Sequence, residues 1–224
     1  MARVSEAKNP GATVLAGLYV ILDPSVCPDR PLLDVLKASA TAGATIFQYR
    51  NKTASMKASY TEALSLRKAA HELGVLFIVN DRCDLALAVN ADGVHLGQED
   101  LPLHLARKVM GPAKLIGIST HRPEQVMSAT ADGPNYLGFG PIFLPGSKAD
   151  HDPVVGIEGL KSIRRLTTLP VFAIGGITAD RADEVVRAGA DGVAVISAIL
   201  KAPDISRAVT DFVSRISSPT SPGS

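Results

Sequence analysis

The feature that most constrains this chain is an eightfold alternation of short apolar runs with longer amphipathic segments. The runs are LYVIL (18–22), TIFQY (45–49), LFIVN (76–80), GVHL (93–96), LIGIS (115–119), YLGF (136–139), VFAIG (171–175) and GVAVIS (192–197). Segments of helical period follow them at 31–42, 55–73, 83–89, 102–109, 123–130, 157–167, 180–188 and 204–216. A continuous apolar run is what a strand covered on both faces requires, and eight strand–helix units close a parallel sheet into a (β/α)8 barrel. The rival architecture, an open doubly wound sheet, asks for G-x-G-x-x-G after its first strand, whereas LYVIL leads into DPSVCPD. The expected fold is therefore α/β, a single TIM barrel over residues 17–216. Residues 1–16, which carry Gly, Pro, Asn, Lys and Glu without periodicity, and residues 217–224, SSPTSPGS, read as short flexible tails.

A weak internal repeat supports the count. The turns AGAT (42–45), NADG (90–93), TADG (130–133) and GADG (189–192) precede the even-numbered strands, with Gly43, Gly93, Gly133 and Gly192 aligned two units apart. Asp92, Asp132 and Asp191 thereby fall before strands, on the face of such barrels that carries stability and not chemistry.

Composition excludes several partners. Lys+Arg 23 against Asp+Glu 22 leaves a net charge of +1 spread along the chain, which offers no basic face for a nucleic acid backbone. Two cysteines, Cys27 and Cys83, make neither a disulfide framework nor a C-x-x-C metal pair, and a reducing, cytoplasmic setting follows as the expectation. The apolar stretch at 12–22 is too short for a membrane span and lacks a cleavage signal. The oligomeric state is left open, with a homo-oligomer compatible.

In such a barrel the residues that follow each strand converge on one mouth. The second strand delivers Gln48, Arg50 and Lys52 at i, i+2, i+4 spacing, one amide and two cations suited to an anionic substrate with several oxygens. The third ends in Asn80-Asp81 and the fourth is followed by Gln98-Glu99-Asp100. Two carboxylates from adjacent strands can hold Mg²⁺, which completes its shell with water and substrate phosphate, so Asp81 and Asp100 are the expected metal ligands. Asp81 is equally placed to cap the helix that follows. After the fifth strand come Ser119-Thr120-His121: Ser119 is the nearer contact, and His121 is a general acid or base by type or else part of a helix start. His95, inside GVHL, reads as a residue packed within the barrel.

The last two strands carry AIGGI (173–177) and VAVIS (193–197), the latter leading to a short helical SAIL. This pair of loops is where such barrels bind phosphate, and Gly175, Gly176, Ile196 and Ser197 form the expected cradle. The Gly/Pro-rich segment 138–156 is too long for a plain connector and reads as a binding loop with Lys148 as its anion contact. Two anion pockets, one with a metal and one of backbone, argue for joining a diphosphate to a monophosphate.

In FQYRNK, VNDRCDLA, ADGVHLGQEDLP, IGIST, GFGPIF, AIGGI and ADGVAVISAI, in this order, the chain resembles the thiamine-phosphate synthases from Tyr19 to about Ile199. The resemblance implies that Gln48, Tyr49, Arg50, Asn51, Lys52, Asn80, Ser119 and Lys148 bind the aminopyrimidine diphosphate. It implies that Asp81 and Asp100 hold one Mg²⁺ per subunit, and that Pro145, Gly146, Ser147, Gly176, Ile196 and Ser197 bind the thiazole phosphate. The implied reaction moves the pyrimidine methylene from diphosphate to the thiazole nitrogen by a dissociative path. Arg50, Lys52, Ser119 and Lys148 are then the catalytic set, because the need is to neutralise a departing diphosphate. One departure stands out: the family usually has a threonine-rich stretch before the lysine, and this chain reads Leu144-Pro145-Gly146-Ser147-Lys148. Pro145 offers neither hydroxyl nor N–H, so Gly146 and Ser147 are expected to take over that contact. The rival readings are a thiazole tautomerase-like relative using a rim histidine such as His121, whose relatives look to lack the metal aspartates, and a catalytically silent phosphate-binding regulator.

Overall fold

The computed structural model describes residues 15–144 and 153–217. Eight parallel strands close on themselves in sequence order, β1 (Gly17–Leu22), β2 (Ile46–Tyr49), β3 (Leu76–Asn80), β4 (Gly93–Leu96), β5 (Leu115–Thr120), β6 (Tyr136–Phe139), β7 (Val171–Ile174) and β8 (Gly192–Val195), with β8 paired back to β1. The outer ring is α1 (Leu32–Thr41), α2 (Met56–Glu72), α3 (Cys83–Ala88), α4 (Leu103–Met110), α5 (Pro123–Asp132), α6 (Gly156–Arg164), α7 (Ala179–Arg187), the single turn α8 (Ser197–Leu200) and α9 (Ile205–Ser217). This is the (β/α)8 barrel read from the alternation. No helix among the described residues is long and apolar enough to cross a membrane.

Strand alternation divides the core in two. Leu18, Val20 and Leu22 of β1 face the helices and belong to the large layer between barrel and ring. Tyr19 and Ile21 face inward and pack with Ile46, Ile78, Tyr136, Phe172 and Ala194 in the barrel interior. Leu15, read above as part of a tail, is buried at 6% and closes the bottom of that inner cluster, so the folded unit starts before residue 17.

The internal repeat is real, but its register is not the one the glycines suggest. The residue just before each of β4, β6 and β8 exchanges two backbone-directed hydrogen bonds with the preceding strand. The Phe77 N–H donates to Asp92 Oδ2 and the Asp92 N–H to Phe77 O; the same holds for Ile116 with Asn135 and for Val171 with Asp191. An arginine from the helix before each odd strand completes the unit, namely Arg67, Arg107 and Arg164. Two positions upstream stands a left-handed residue, Asn90, Gly133 or Gly189, and Gly43 holds that place before Thr45. Asp132 is thus not the counterpart of Asp92 and Asp191: it ends α5, and Asn135 takes the role. Matching on A-D-G triplets hid this, because Gly93 and Gly192 lie inside their strands.

Candidate active site

Register decides which side chains meet at the carboxyl ends. Leu22 pairs with Tyr49, so the residues that follow, Asp23 and Arg50, emerge side by side. Arg50 Nη1 donates to Asp23 Oδ2, and Asp23 also accepts from Ser25 N at 3.0 Å and Ser25 Oγ at 2.6 Å. Asp23 is buried and fixes the guanidinium at the rim. It was overlooked in the sequence although it directly follows the first strand, the same position that singled out Asp81 after the third.

Gln48 points into the barrel and is buried, Arg50 lies at the rim, and Lys52 Nζ reaches Asp81 Oδ2 at 3.1 Å. The three polar groups of FQYRNK are therefore staged by depth. Tyr49 departs from the expectation: its side chain faces the helix layer, where its hydroxyl donates to Glu62 Oε2 of α2 at 2.8 Å. Burial and that carboxylate push its phenol up to about 12. Alternation on β2 makes this unavoidable once Gln48 faces inward. Asn51 shapes the loop, its Oδ1 accepting from Thr53 N at 3.2 Å and Ala54 N at 3.1 Å.

Asp81 has φ 62°, a left-handed conformation in which a non-glycine residue costs of order 1–3 kcal/mol, and its N–H donates to His95 O at 2.8 Å. The helix cap at this point is Arg82, so Asp81 is not spent on capping. Burial foremost, and then the neighbouring Asp100 carboxylate, raise its carboxyl above the ordinary value, while Lys52 draws it down. Asp100 accepts from Gly97 N at 2.6 Å. Among the described residues no group of three His, Cys, Asp or Glu side chains converges as a metal cage. Two facing carboxylates with the rest of the shell left to water and substrate oxygens are nonetheless the donor set Mg²⁺ takes, and their mutual repulsion is what a cation would relieve.

Asn80 ends β3 in register with His95. Ser119 sits next to His95: Oγ lies 2.9 Å from Nε2, and Ser119 O accepts from Gln98 Nε2 at 2.6 Å. His95 packs in the barrel as expected and also belongs to a buried polar chain that the sequence did not disclose. Gln48 Nε2 donates to Tyr19 Oη at 2.9 Å, Tyr19 Oη lies 2.9 Å from Tyr136 Oη, and Tyr136 Oη lies 3.1 Å from His95 Nδ1. Burial lowers the His95 imidazole to about 4. His121 is anchored, Nδ1 donating to Gly140 O at 2.7 Å, while its N–H is taken by Gln125 Oε1 at 2.7 Å.

On the far side, Ile174 pairs with Ala194, so Gly175-Gly176 and Ile196-Ser197 leave adjacent strands at one height. Both glycines have positive φ, 97° and 62°. A Cβ on Gly176 would lie 2.6 Å from Leu144 O, and one on Gly175 2.5 Å from Pro141 Cβ. The chain after β6 lies over this turn and pairs with it, Ile142 N donating to Ile174 O at 2.8 Å and Phe143 N to Gly175 O at 3.0 Å. Ser197 opens α8 instead of ending β8. Pro145, Gly146, Ser147 and Lys148 lie outside the described residues.

The family model described as thiamine monophosphate synthase matches residues 18–199. A thiamine-phosphate synthase of Chloroflexus aurantiacus is 45% identical over 200 residues, covering 89% of this chain and 92% of the relative. One of Moorella thermoacetica is 44% identical over 191 residues, 85% of this chain and 91% of its own. Among solved structures, a thiamine phosphate pyrophosphorylase from Pyrococcus furiosus superposes with a TM-score of 0.81 at 38% identity, covering 90% of this chain and 95% of that one. A 3-hexulose-6-phosphate synthase, at 17% identity and a TM-score of 0.66, shares the fold alone.

Proposed function

Because the chain belongs to the thiamine monophosphate synthase family, we propose that its mouth joins an aminopyrimidine bearing a diphosphooxymethyl arm to a thiazole phosphate, releasing pyrophosphate and forming thiamine phosphate. It is a transferase. The observation that carries the reading is the charge order of the rim: Arg50 held by Asp23, and Lys52 held by Asp81 beside Asp100, present cations and carboxylates to one space. A diphosphate with its counterion is the ligand that uses both signs.

In the step proposed, the methylene carbon–oxygen bond breaks, its electron pair leaves with the diphosphate, and the thiazole nitrogen lone pair forms the new carbon–nitrogen bond. Asp81 and Asp100 would hold Mg²⁺, which would supply charge neutralisation to the diphosphate. Arg50 and Lys52, with Lys148 by resemblance, stabilise the charge that grows on the leaving oxygens, and no side chain acts as a nucleophile. Gln48, Asn51, Asn80 and Ser119 orient the pyrimidine half. Gly176, Ile196 and Ser197, with Gly146 and Ser147, are proposed to take the thiazole phosphate on backbone N–H groups and hydroxyls. The free thiols Cys27 and Cys83 suit a reducing compartment, and we place the reaction in the cytoplasm.

The test is direct. Both phosphorylated precursors and Mg²⁺ are mixed with the protein and pyrophosphate release is followed. Release that requires both precursors and Mg²⁺ and is lost in Asp81→Ala supports the reading, and release by Asp81→Ala at the parent rate removes the metal assignment. An unchanged KM for thiazole phosphate in Ser147→Ala would remove that residue from the phosphate site.

A further inference from the structure

We propose that Gln48, Tyr19, Tyr136, His95 and Ser119 form a one-way hydrogen-bond chain that fixes His95 as the Nε2–H tautomer and leaves the Ser119 hydroxyl proton to be donated into the mouth. Tyr19, Tyr136 and His95 are then positioning residues, acting through Ser119.

The direction follows from counting protons. Gln48 Nε2 is a donor, so at the 2.9 Å contact Tyr19 Oη accepts. Among the described residues the only other polar partner of Tyr19 is Tyr136 Oη at 2.9 Å, so the Tyr19 proton goes there. Tyr136 then sends its own proton to His95 Nδ1 at 3.1 Å, which must be bare to accept it. A bare Nδ1 excludes the imidazolium and puts the ring proton on Nε2, 2.9 Å from Ser119 Oγ. Ser119 accepts from the ring, and its hydroxyl proton is left for a partner outside the chain.

The interior is built around this chain. Tyr19, Gln48, His95 and Tyr136 are buried where aliphatic side chains would fill the barrel without polar atoms to satisfy, and buried polar groups persist only when every one is paired. Space is reserved for two of the rings: a Cβ on Gly117 would lie 2.1 Å from Tyr136 Cζ, and one on Gly138 3.3 Å from His95 Cε1. The Tyr136 and His95 rings also stack, centroids 5.4 Å apart. Among the described residues the only buried side-chain polar atom without a partner is Ser39 Oγ, outside this chain.

What Ser119 touches rests on the synthase reading; the tautomer does not, and the two are tested apart. The full chain with ¹⁵N-labelled histidine is examined by NMR at neutral pH, with Tyr136→Phe identifying the His95 signals. The expected His95 spectrum shows a bare Nδ1 and a protonated Nε2; the reverse, or rapid averaging of the two, overturns the proposal whatever the enzyme's substrate. In turnover, Tyr136→Phe is expected to lower kcat roughly tenfold, about the effect of one lost hydrogen bond to a polar group in the reacting complex. In a Ser119→Ala background the same substitution is expected to change kcat less than twofold. A further tenfold loss in that background would mean that Tyr136 only supports the fold, and would overturn the positioning role.

Discussion

Lys52 Nζ lies 3.1 Å from Asp81 Oδ2, and the aspartate it neutralises is a left-handed residue next to a second carboxylate, Asp100. The arrangement is costly for the resting protein. With the folded carboxyl raised above its unfolded value, the ionised form is penalised in the native state. That penalty is full above the folded pKa, and it is lifted as pH falls through the folded value toward the ordinary carboxylate range. Asp81→Asn removes the charge and keeps a residue that tolerates positive φ. We expect it to melt higher than the parent at pH 7, with the gain fading at pH 4, while pyrophosphate release drops at least a hundredfold. Loss of stability at pH 7 would contradict the argument.

Asp23 and Arg50 form the other rim pair, and here the carboxylate serves the cation. Asp23→Ala leaves the guanidinium untethered and the Ser25 N–H and hydroxyl without their acceptor. The expected result is a roughly tenfold fall in kcat/KM for the diphosphate substrate, the scale of one charge-assisted hydrogen bond. In Arg50→Ala the additional Asp23→Ala change should cost little, because there is no guanidinium left to orient. Equal effects in both backgrounds would separate the two residues.

The barrel was legible because its signal is periodic: eight apolar runs end within a residue or two of the observed strands. The places of Arg50 and Asp81 after their strands were legible for the same reason, although Asp23, equally placed after β1, was not picked out. Orientation within a strand was harder. Tyr49 and Gln48 are neighbours in sequence, yet one faces Glu62 and the other Tyr19, and only the register of β1 on β2 settles which. The inner polar chain was hidden because Tyr19, His95 and Tyr136 sit in runs that read as apolar, and its hydrogen-bonded neighbours are 24 to 117 residues apart along the chain. Its one sequence trace is glycine in mid-strand, at Gly117 and Gly138, where a strand without a ring to accommodate has no use for one.

His95 sets an acid limit on stability. Burial lowers its folded pKa to about 4, below the ordinary histidine value of about 6.5. Between those values the unfolded chain binds a proton that the folded chain refuses, so stability is intact above about 6.5 and declines as pH falls toward 4. His95→Gln should flatten this part of the stability–pH curve in denaturant titrations, at the cost of a lower plateau at neutral pH. A curve as steep as the parent's would assign the acid sensitivity to other groups.

The ladder at the amino ends of the strands is expected to matter for stability and not for turnover. Asp92→Ala strands the Phe77 N–H and leaves Arg67 only its bond to Asn90 O, and Asp191→Ala strands the Val171 N–H while Arg164 keeps Thr167 O and Leu169 O. Leaving a buried donor unsatisfied costs about 1–3 kcal/mol, which in a domain of this size lowers Tm by roughly 2–4 °C per kcal/mol. The two losses should add, since the sites share no partner. Asn135→Asp, which offers Arg107 a charged acceptor in place of a neutral one, should be neutral or stabilising. A tenfold loss of kcat in Asp92→Ala would show that this face is not separate from the chemistry.

At Gly176 a positive φ coincides with the space proposed for the thiazole phosphate. At φ 62° an alanine is strained, and its Cβ would meet Leu144 O at 2.6 Å and the Phe143 carbonyl at 2.8 Å, so one side of this contact must give way. Phe143 is tied down from two sides, by its N–H to Gly175 O and by Arg181 stacked 4.4 Å over its ring, so the turn itself is the element that yields. A shift there displaces the N–H groups proposed for the thiazole phosphate and leaves the rim pairs of β1 to β3 alone. Gly176→Ala should raise KM for thiazole phosphate tenfold or more, with the diphosphate KM changed less than twofold. Ser197→Ala, which removes one hydroxyl and no backbone group, should raise the thiazole phosphate KM by a smaller factor. Equal rises for both substrates in Gly176→Ala would mean that the two halves of the mouth are not independent.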